Sequence, residues 1–89
     1  MNENTFKKNV AKLLEAGIYK TTEQVVEEFR MEYPRLWREL ETEGQNLYGN
    51  SCSSVQQPAT RIAQALQSLG EEECLRFCRD KQFFWSRPR

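Results

Sequence analysis

Histidine is absent from this 89-residue sequence, and its absence excludes much of ordinary enzyme chemistry. Without imidazole, the chain lacks the side chain that most often transfers protons near neutral pH. Neither a Ser–His nor a Cys–His nucleophilic pair can form within it. Structural zinc usually takes four Cys or His ligands, which three cysteines cannot supply. The four glycines are isolated, so no phosphate-binding glycine loop is present. We therefore expect a protein that is not an enzyme and that needs no cofactor or metal.

Long apolar runs are also missing. No stretch of about 18 or more apolar residues could span a membrane, and the first nine residues lack the apolar core of a secretory signal. Cys52, Cys74 and Cys78 are an odd number of cysteines in a sequence without an export signal. These features predict a cytoplasmic protein with reduced thiols and no membrane contact.

Length and composition predict one small domain over residues 1–89. Apolar residues make up 38% and charged residues 29% of the chain, which favours a folded domain over a disordered tail. A chain of this size buries only about 60–65% of the surface that its unfolded form exposes. Most large apolar side chains are therefore needed for the core.

The first third of the chain has the pattern of two helices. Apolar residues recur at helical spacing over residues 4–16, and Gly17 suits a left-handed stop at the end of that helix. Thr21 is followed three residues later by Gln24, which has the form of a capping box. A second helix is therefore predicted to begin there.

Two prolines divide the middle of the chain. Pro34 interrupts the second helix and suits the first turn of a third, which is predicted to end at residues 49–50. We expect residues 44–57 to form an extended connection, with regular helix beginning close to Pro58. Over residues 55–69 apolar side chains recur at spacings of 4, 3, 4 and 3, which predicts an amphipathic fourth helix.

The last segment favours a β-hairpin. Apolar and polar residues alternate over residues 74–78, and an aromatic cluster over residues 83–85 follows the polar pair Asp80 and Lys81. The three clustered aromatic side chains cannot all face one side of a strand, so at least one must lie outside the core or pack on it from outside. The alternative is one more helix, with the acidic residues 71–73 as its first turn.

This order of elements resembles a winged helix-turn-helix domain over residues 20–87. The expected fold class is mainly α, of the α+β type, with a bundle of three to four helices and a C-terminal hairpin. The resemblance implies that helix 55–69 is a recognition helix in the major groove of DNA and that the hairpin is the wing.

Particular residues acquire roles from that resemblance. The base-reading candidates on the helix are Gln56, Gln57, Thr60, Arg61 and Gln64. Ser53 and Ser54 could bind phosphate at the helix start. The backbone contacts of the wing and tail would come from Arg76, Arg79, Lys81, Arg87 and Arg89. The alternative is that this polar face of the helix contacts only solvent, since the same residue types are typical of a solvated helix face.

Charge is unevenly distributed although the chain is neutral overall, with 13 basic and 13 acidic residues. The first 49 residues hold seven Lys or Arg against nine Asp or Glu, whereas residues 74–89 hold five against one. The first hypothesis is therefore a transcription regulator that binds double-stranded DNA through helix 55–69 and the basic segment 74–89. The alternative is a protein-interaction module on the same scaffold, which binds a protein partner or a second copy without binding nucleic acid.

Overall fold

Helices precede a small sheet in the computed structural model, which describes residues 3–48 and 52–88 and, for residues 47–48 and 52–56, the backbone alone. The elements are α1 (Glu3–Lys12), β1 (Lys20–Thr21), α2 (Thr22–Glu32), α3 (Pro34–Tyr48), α4 (Cys52–Ser68), β2 (Leu75–Arg79) and β3 (Gln82–Ser86). The expected α+β class is confirmed at this level. Within the described ranges, no helix combines the length and apolarity needed to cross a bilayer.

The apolar stripes of the four helices meet in one core, which the sheet closes from one side. Its fully buried large side chains include Phe6, Leu14, Val25, Phe29, Leu40, Ile62, Leu66 and Trp85. Trp85 connects the sheet to the helices, because its indole N–H donates a hydrogen bond of 2.9 Å to the hydroxyl of Thr22. Fixing this ring sets the position of β3 and therefore of the whole hairpin.

The capping box predicted at the start of α2 is confirmed. The N–H of Gln24 donates to the hydroxyl of Thr21 at 3.1 Å, and the N–H of Thr21 donates to the side-chain oxygen of Gln24 at 2.8 Å. At the other end, the N–H of Tyr33 donates to the carbonyl of Phe29 and Pro34 opens α3, as its fixed φ and missing N–H favour.

The first helix is shorter than its apolar pattern predicts. It ends at Lys12, and Gly17 adopts a φ of 80° inside the turn that follows rather than at the end of the helix. In that turn the N–H of Ile18 donates to the carbonyl of Glu15, which also accepts from the N–H of Arg87. Pairing with the C-terminal segment therefore replaces the last helical turn.

The predicted extended connection over residues 44–57 is wrong. The third helix continues to Tyr48 and the fourth begins at Cys52, so Pro58 lies inside α4. A proline there costs one i→i−4 hydrogen bond. The ring of Pro58 is fully buried in the core, and this burial offsets the lost bond.

The predicted hairpin is confirmed, which excludes an additional helix over these residues. Asp80 and Lys81 form its two-residue turn with φ values of 52° and 67°, the pair of positive φ angles that matches the twist of a hairpin. The two-residue strand β1 adds to the other side of β3, giving the antiparallel order β1-β3-β2. This third strand was not predicted, because it has only two residues, the second of which is the N-cap of α2, and two residues carry no period-2 pattern.

Candidate functional site

Arg61, the strongest candidate for reading guanine, contacts acidic side chains of two other helices in the same chain. Its guanidinium donates to the carboxylate of Glu3 at 2.9 Å and lies 3.7 Å from the carboxylate of Glu43. It also stacks over the ring of Phe6, 5.4 Å from the ring centroid, and its side chain is only 25% exposed. In this structure Arg61 joins α4 to α1 and α3, and its role in base reading stays a prediction.

A second base-reading candidate is buried as well. The side-chain amide of Gln57 donates to Glu43 at 2.9 Å, and the residue is 7% exposed, so it is a packing residue rather than a surface contact. Thr60 and Gln64 are exposed on α4, as a surface role requires. The remaining candidates lie outside the residues whose side chains are described: Ser53, Ser54, Gln56 and Arg89.

Among the described residues, the basic side chains of the last segment do not form a single patch. Arg76 and Arg79 are three positions apart on β2, so they lie on opposite faces of the sheet. Arg76 is exposed beside the ring of Phe83, and Arg79 lies 3.9 Å from the carboxylate of Asp80. The exposed Lys81 occupies the turn. The positive charge of the hairpin is therefore divided between two faces.

Arg87 is turned toward the helices. Its guanidinium donates to the carbonyl of Ala11 at 3.2 Å, near the end of α1. This hydrogen bond stabilises the end of α1, and the role of Arg87 as a tail contact to DNA stays a prediction.

Aromatic rings instead occupy the sheet face that points away from the helices. Tyr19, Phe77 and Phe84 form what is called here the aromatic face, with ring centroids 6.3 Å apart for Tyr19–Phe77 and for Phe77–Phe84. Tyr19 is 53% and Phe77 51% exposed. Together with Arg79 they line a shallow, mainly apolar depression, and no carboxylate among the described residues lines it.

Strand alternation explains this arrangement. Trp85 points into the core and Phe83 packs against its edge, so Phe84 between them points outward, which confirms that the three rings divide between two faces. Phe77 is the cross-strand partner of Phe84 and shares its face. Once the turn is placed at Asp80 and Lys81, the pairing of Phe77 with Phe84 follows from the sequence. The position of Tyr19 depends on β1, which no pattern in the neighbouring residues predicts.

The edge of the sheet next to the aromatic face is free. In the described part of the chain, β2 pairs with β3 on one side and with nothing on the other, and all five of its residues are exposed. Arg79 and Gln82 flank the turn and form the last hydrogen-bonded pair. The alternation of an antiparallel ladder then points the N–H and C=O groups of Arg76 and Cys78 to the free edge.

The two described thiols differ in their surroundings. Cys78 is exposed on β2, whereas Cys74 is buried just before it. Burial raises the pKa of the Cys74 thiol, although a backbone hydrogen bond from Ser86 and the nearby Arg76 oppose this shift. Cys74 therefore remains a protonated packing residue.

Lys20 supplies the buried charge that attaches the sheet to the helices. Its ammonium donates to the carbonyl of Leu13 at 2.6 Å and to the carboxylate of Glu28 at 2.8 Å, and the carboxylate of Glu15 lies 3.3 Å away. Burial lowers the pKa of Lys20, but the hydrogen bonds and attraction of Glu28 and Glu15 outweigh it, so the pKa lies above its ordinary value. Lys20 therefore stays charged and serves the fold.

Comparison of the chain with protein-family models, with curated proteins and with solved structures finds no match. The geometry alone therefore has to support a function.

Proposed function

We propose that this protein is a protein-interaction module whose binding surface is the aromatic face of its sheet. The observation that carries the proposal is that Tyr19 and Phe77 are each half exposed and form one contiguous row with Phe84, in which Tyr19 meets Phe77 edge-on and Phe77 is tilted against Phe84. A small domain with few large apolar residues gains stability by burying them. Contiguous exposed aromatic groups are typical of surfaces that bind another protein.

The surroundings of the aromatic face support the same function. Arg79 is the single charged group that lines it among the described residues, and arginine and aromatic side chains are the residue types enriched at protein interfaces. We further propose that the helices and the β2–β3 hairpin form a winged-helix-like scaffold, in which the hairpin presents this face away from the core.

Site-specific photocrosslinking tests this function. A photoreactive phenylalanine analogue replaces Phe77, and as a matched control it replaces Met31, which is 77% exposed on α2. Irradiation of cells that make the protein should yield discrete adducts to a polypeptide from position 77 and none from position 31. Equal adducts from both positions, or adducts to nucleic acid alone, would contradict the proposal.

Binding of double-stranded DNA is the second candidate function. It is favoured by the exposure of Thr60 and Gln64 on α4 and of Arg76 and Lys81 in the hairpin. It is weakened by the internal contacts of Arg61.

Salt dependence distinguishes the two functions. Two or three phosphate contacts predict a loss of affinity of about 10- to 40-fold between 50 and 200 mM salt. Arg76→Gln should then remove part of this dependence, whereas Gln64→Ala should alter base preference instead. A protein that binds no labelled duplex at 50 mM salt is not a DNA-binding protein of this kind.

A further inference from the structure

We infer that the partner of this surface is a second copy of the chain, which pairs antiparallel with the free edge of β2 about a two-fold axis at Phe77. The inference rests on the proposed function and names the partner. Pairing would join two three-stranded sheets into one of six strands and bring the two aromatic faces side by side.

The free edge allows few ways to pair. Only Arg76 and Cys78 within β2 direct their N–H and C=O groups outward, so a symmetric partner must bond to these two residues. If the two-fold axis passes between two residues, each residue whose N–H and C=O groups point to the free edge faces a partner residue whose groups point back to its own sheet. Such a register forms no hydrogen-bonded ladder. The remaining axes pass through Arg76, Phe77 or Cys78.

Charge and backbone shape select one of these three. An axis at Arg76 puts two guanidinium groups directly opposite each other, which destabilises an antiparallel pair. An axis at Cys78 brings Arg76 against the turn residue Asp80, whose φ of 52° cannot continue a strand. An axis at Phe77 pairs all five residues of β2 with all five of the partner, and no like charges face each other.

The same axis makes the ends of the strands complementary in charge. The acidic residues 71–73 precede β2, and the turn that follows β2 contains Lys81 next to Arg79. An antiparallel partner places its own turn beside residues 71–73, so that Arg79 and Lys81 of each copy lie near the carboxylates of the other. With 13 basic and 13 acidic residues, the chain has no net charge to oppose association.

The aromatic face becomes continuous across the axis. Phe77 faces the partner's Phe77 in a non-hydrogen-bonded pair, the position at which side chains on two strands approach most closely. Tyr19 and Phe84 then extend the row on both sides. A single interface thus covers the exposed rings and pairs the open sheet edge. An unpaired edge strand is a site at which proteins aggregate.

Sedimentation analysis over a range of concentrations tests the pairing. Cys78→Pro removes an outward N–H but none of the bonds to β3, and Cys78→Ala is the matched control that keeps the N–H. The wild type and Cys78→Ala should form a dimer as concentration rises. Cys78→Pro should weaken the dimer at least tenfold while its circular dichroism stays native.

A disulfide reports the register independently of that variant. In a Cys52→Ser, Cys78→Ser background, Phe77→Cys places one thiol beside the partner's identical thiol, so oxidation should give a covalent dimer. Arg79→Cys in the same background faces the partner's Leu75 and should stay monomeric. Efficient cross-linking through position 79 but not 77 would overturn the register.

The outcomes separate this inference from the function on which it rests. A wild-type chain that remains monomeric up to about 1 mM, or a dimer that Cys78→Pro leaves intact, overturns the self-pairing. If photocrosslinking at position 77 then captures a different polypeptide, the interaction function stands with another partner. If it captures no polypeptide, both proposals are overturned.

Discussion

At the scale of single residues, long side chains that could bind partners instead hold the elements together. Arg61 contacts Glu3 and Glu43, and Lys20 contacts Glu15 and Glu28, so two cations bridge four carboxylates on different elements. Sequence reasoning could not detect this use, because the acidic partners of Arg61 are 58 and 18 positions away in the chain. Their approach is a consequence of the packed helices.

Lys20→Met should destabilise the fold. It removes charge-assisted hydrogen bonds to Leu13 and Glu28, and we expect a loss of about 1.5–3 kcal/mol in the free energy of unfolding, measured with urea. Lys8→Met, at an exposed position, is the control and should change stability by less than about 0.5 kcal/mol.

The contribution of Lys20 should also depend on pH. Since the folded pKa lies above the ordinary value of 10.5, the contribution is fully present below about pH 10.5 and is lost as pH rises through the folded pKa. The stability difference between the wild type and Lys20→Met should therefore be constant from pH 7 to 10 and shrink above that range. A difference that grows with alkaline pH would contradict the ion-pair assignment.

Arg61→Met should lower stability by about 1–2 kcal/mol, because it removes a half-buried ion pair and a cation–π contact. Urea unfolding of the variant provides the measurement. Gln64→Met, one turn further along the exposed face of α4, is the matched control. Equal stability of the two variants would mean that Arg61 is free, and would restore it as a candidate for DNA contact.

At the scale of elements, local chemistry decides which parts of the fold could be predicted. The capping box at Thr21 and the hairpin with a polar break at Asp80 and Lys81 were both predicted, because each is specified by residues that lie close together in the chain. The start of α4 was not, because the burial of Pro58 against the other helices outweighs its local cost. The aromatic face forms only when the hairpin register and β1 bring its three rings together. The sequence alone therefore predicted no more than that Phe84 or a neighbouring ring lies outside the core.

A substitution in the hairpin turn should raise the stability of the protein. Lys81 has a φ of 67°, a region that costs a lysine more than a glycine, so Lys81→Gly should stabilise the protein by about 0.5–1 kcal/mol. Thermal unfolding would show this as a higher midpoint. Gln82→Gly, within β3, is the control and should lower the midpoint, since glycine weakens a strand.

At the scale of the whole molecule, the uneven charge of the sequence takes a different form from the one expected. Residues 74–89 hold five basic residues and one acidic residue, which suggested a concentrated cationic surface. In the structure, Arg87 turns to α1 while Arg76 and Arg79 lie on opposite faces of the sheet. What remains contiguous is the aromatic face and the open edge beside it, and these two features together favour association with a second copy.

Hydrogen exchange of individual amides tests that association most directly. Arg76 and Cys78 point their N–H groups to the free edge, whereas Phe77 between them bonds to β3 and provides an internal control. Exchange at Arg76 and Cys78 should be fast in dilute protein and slow at least tenfold as concentration rises, with Phe77 protected throughout. Fast exchange at both edge amides at every concentration up to about 1 mM would contradict pairing through β2.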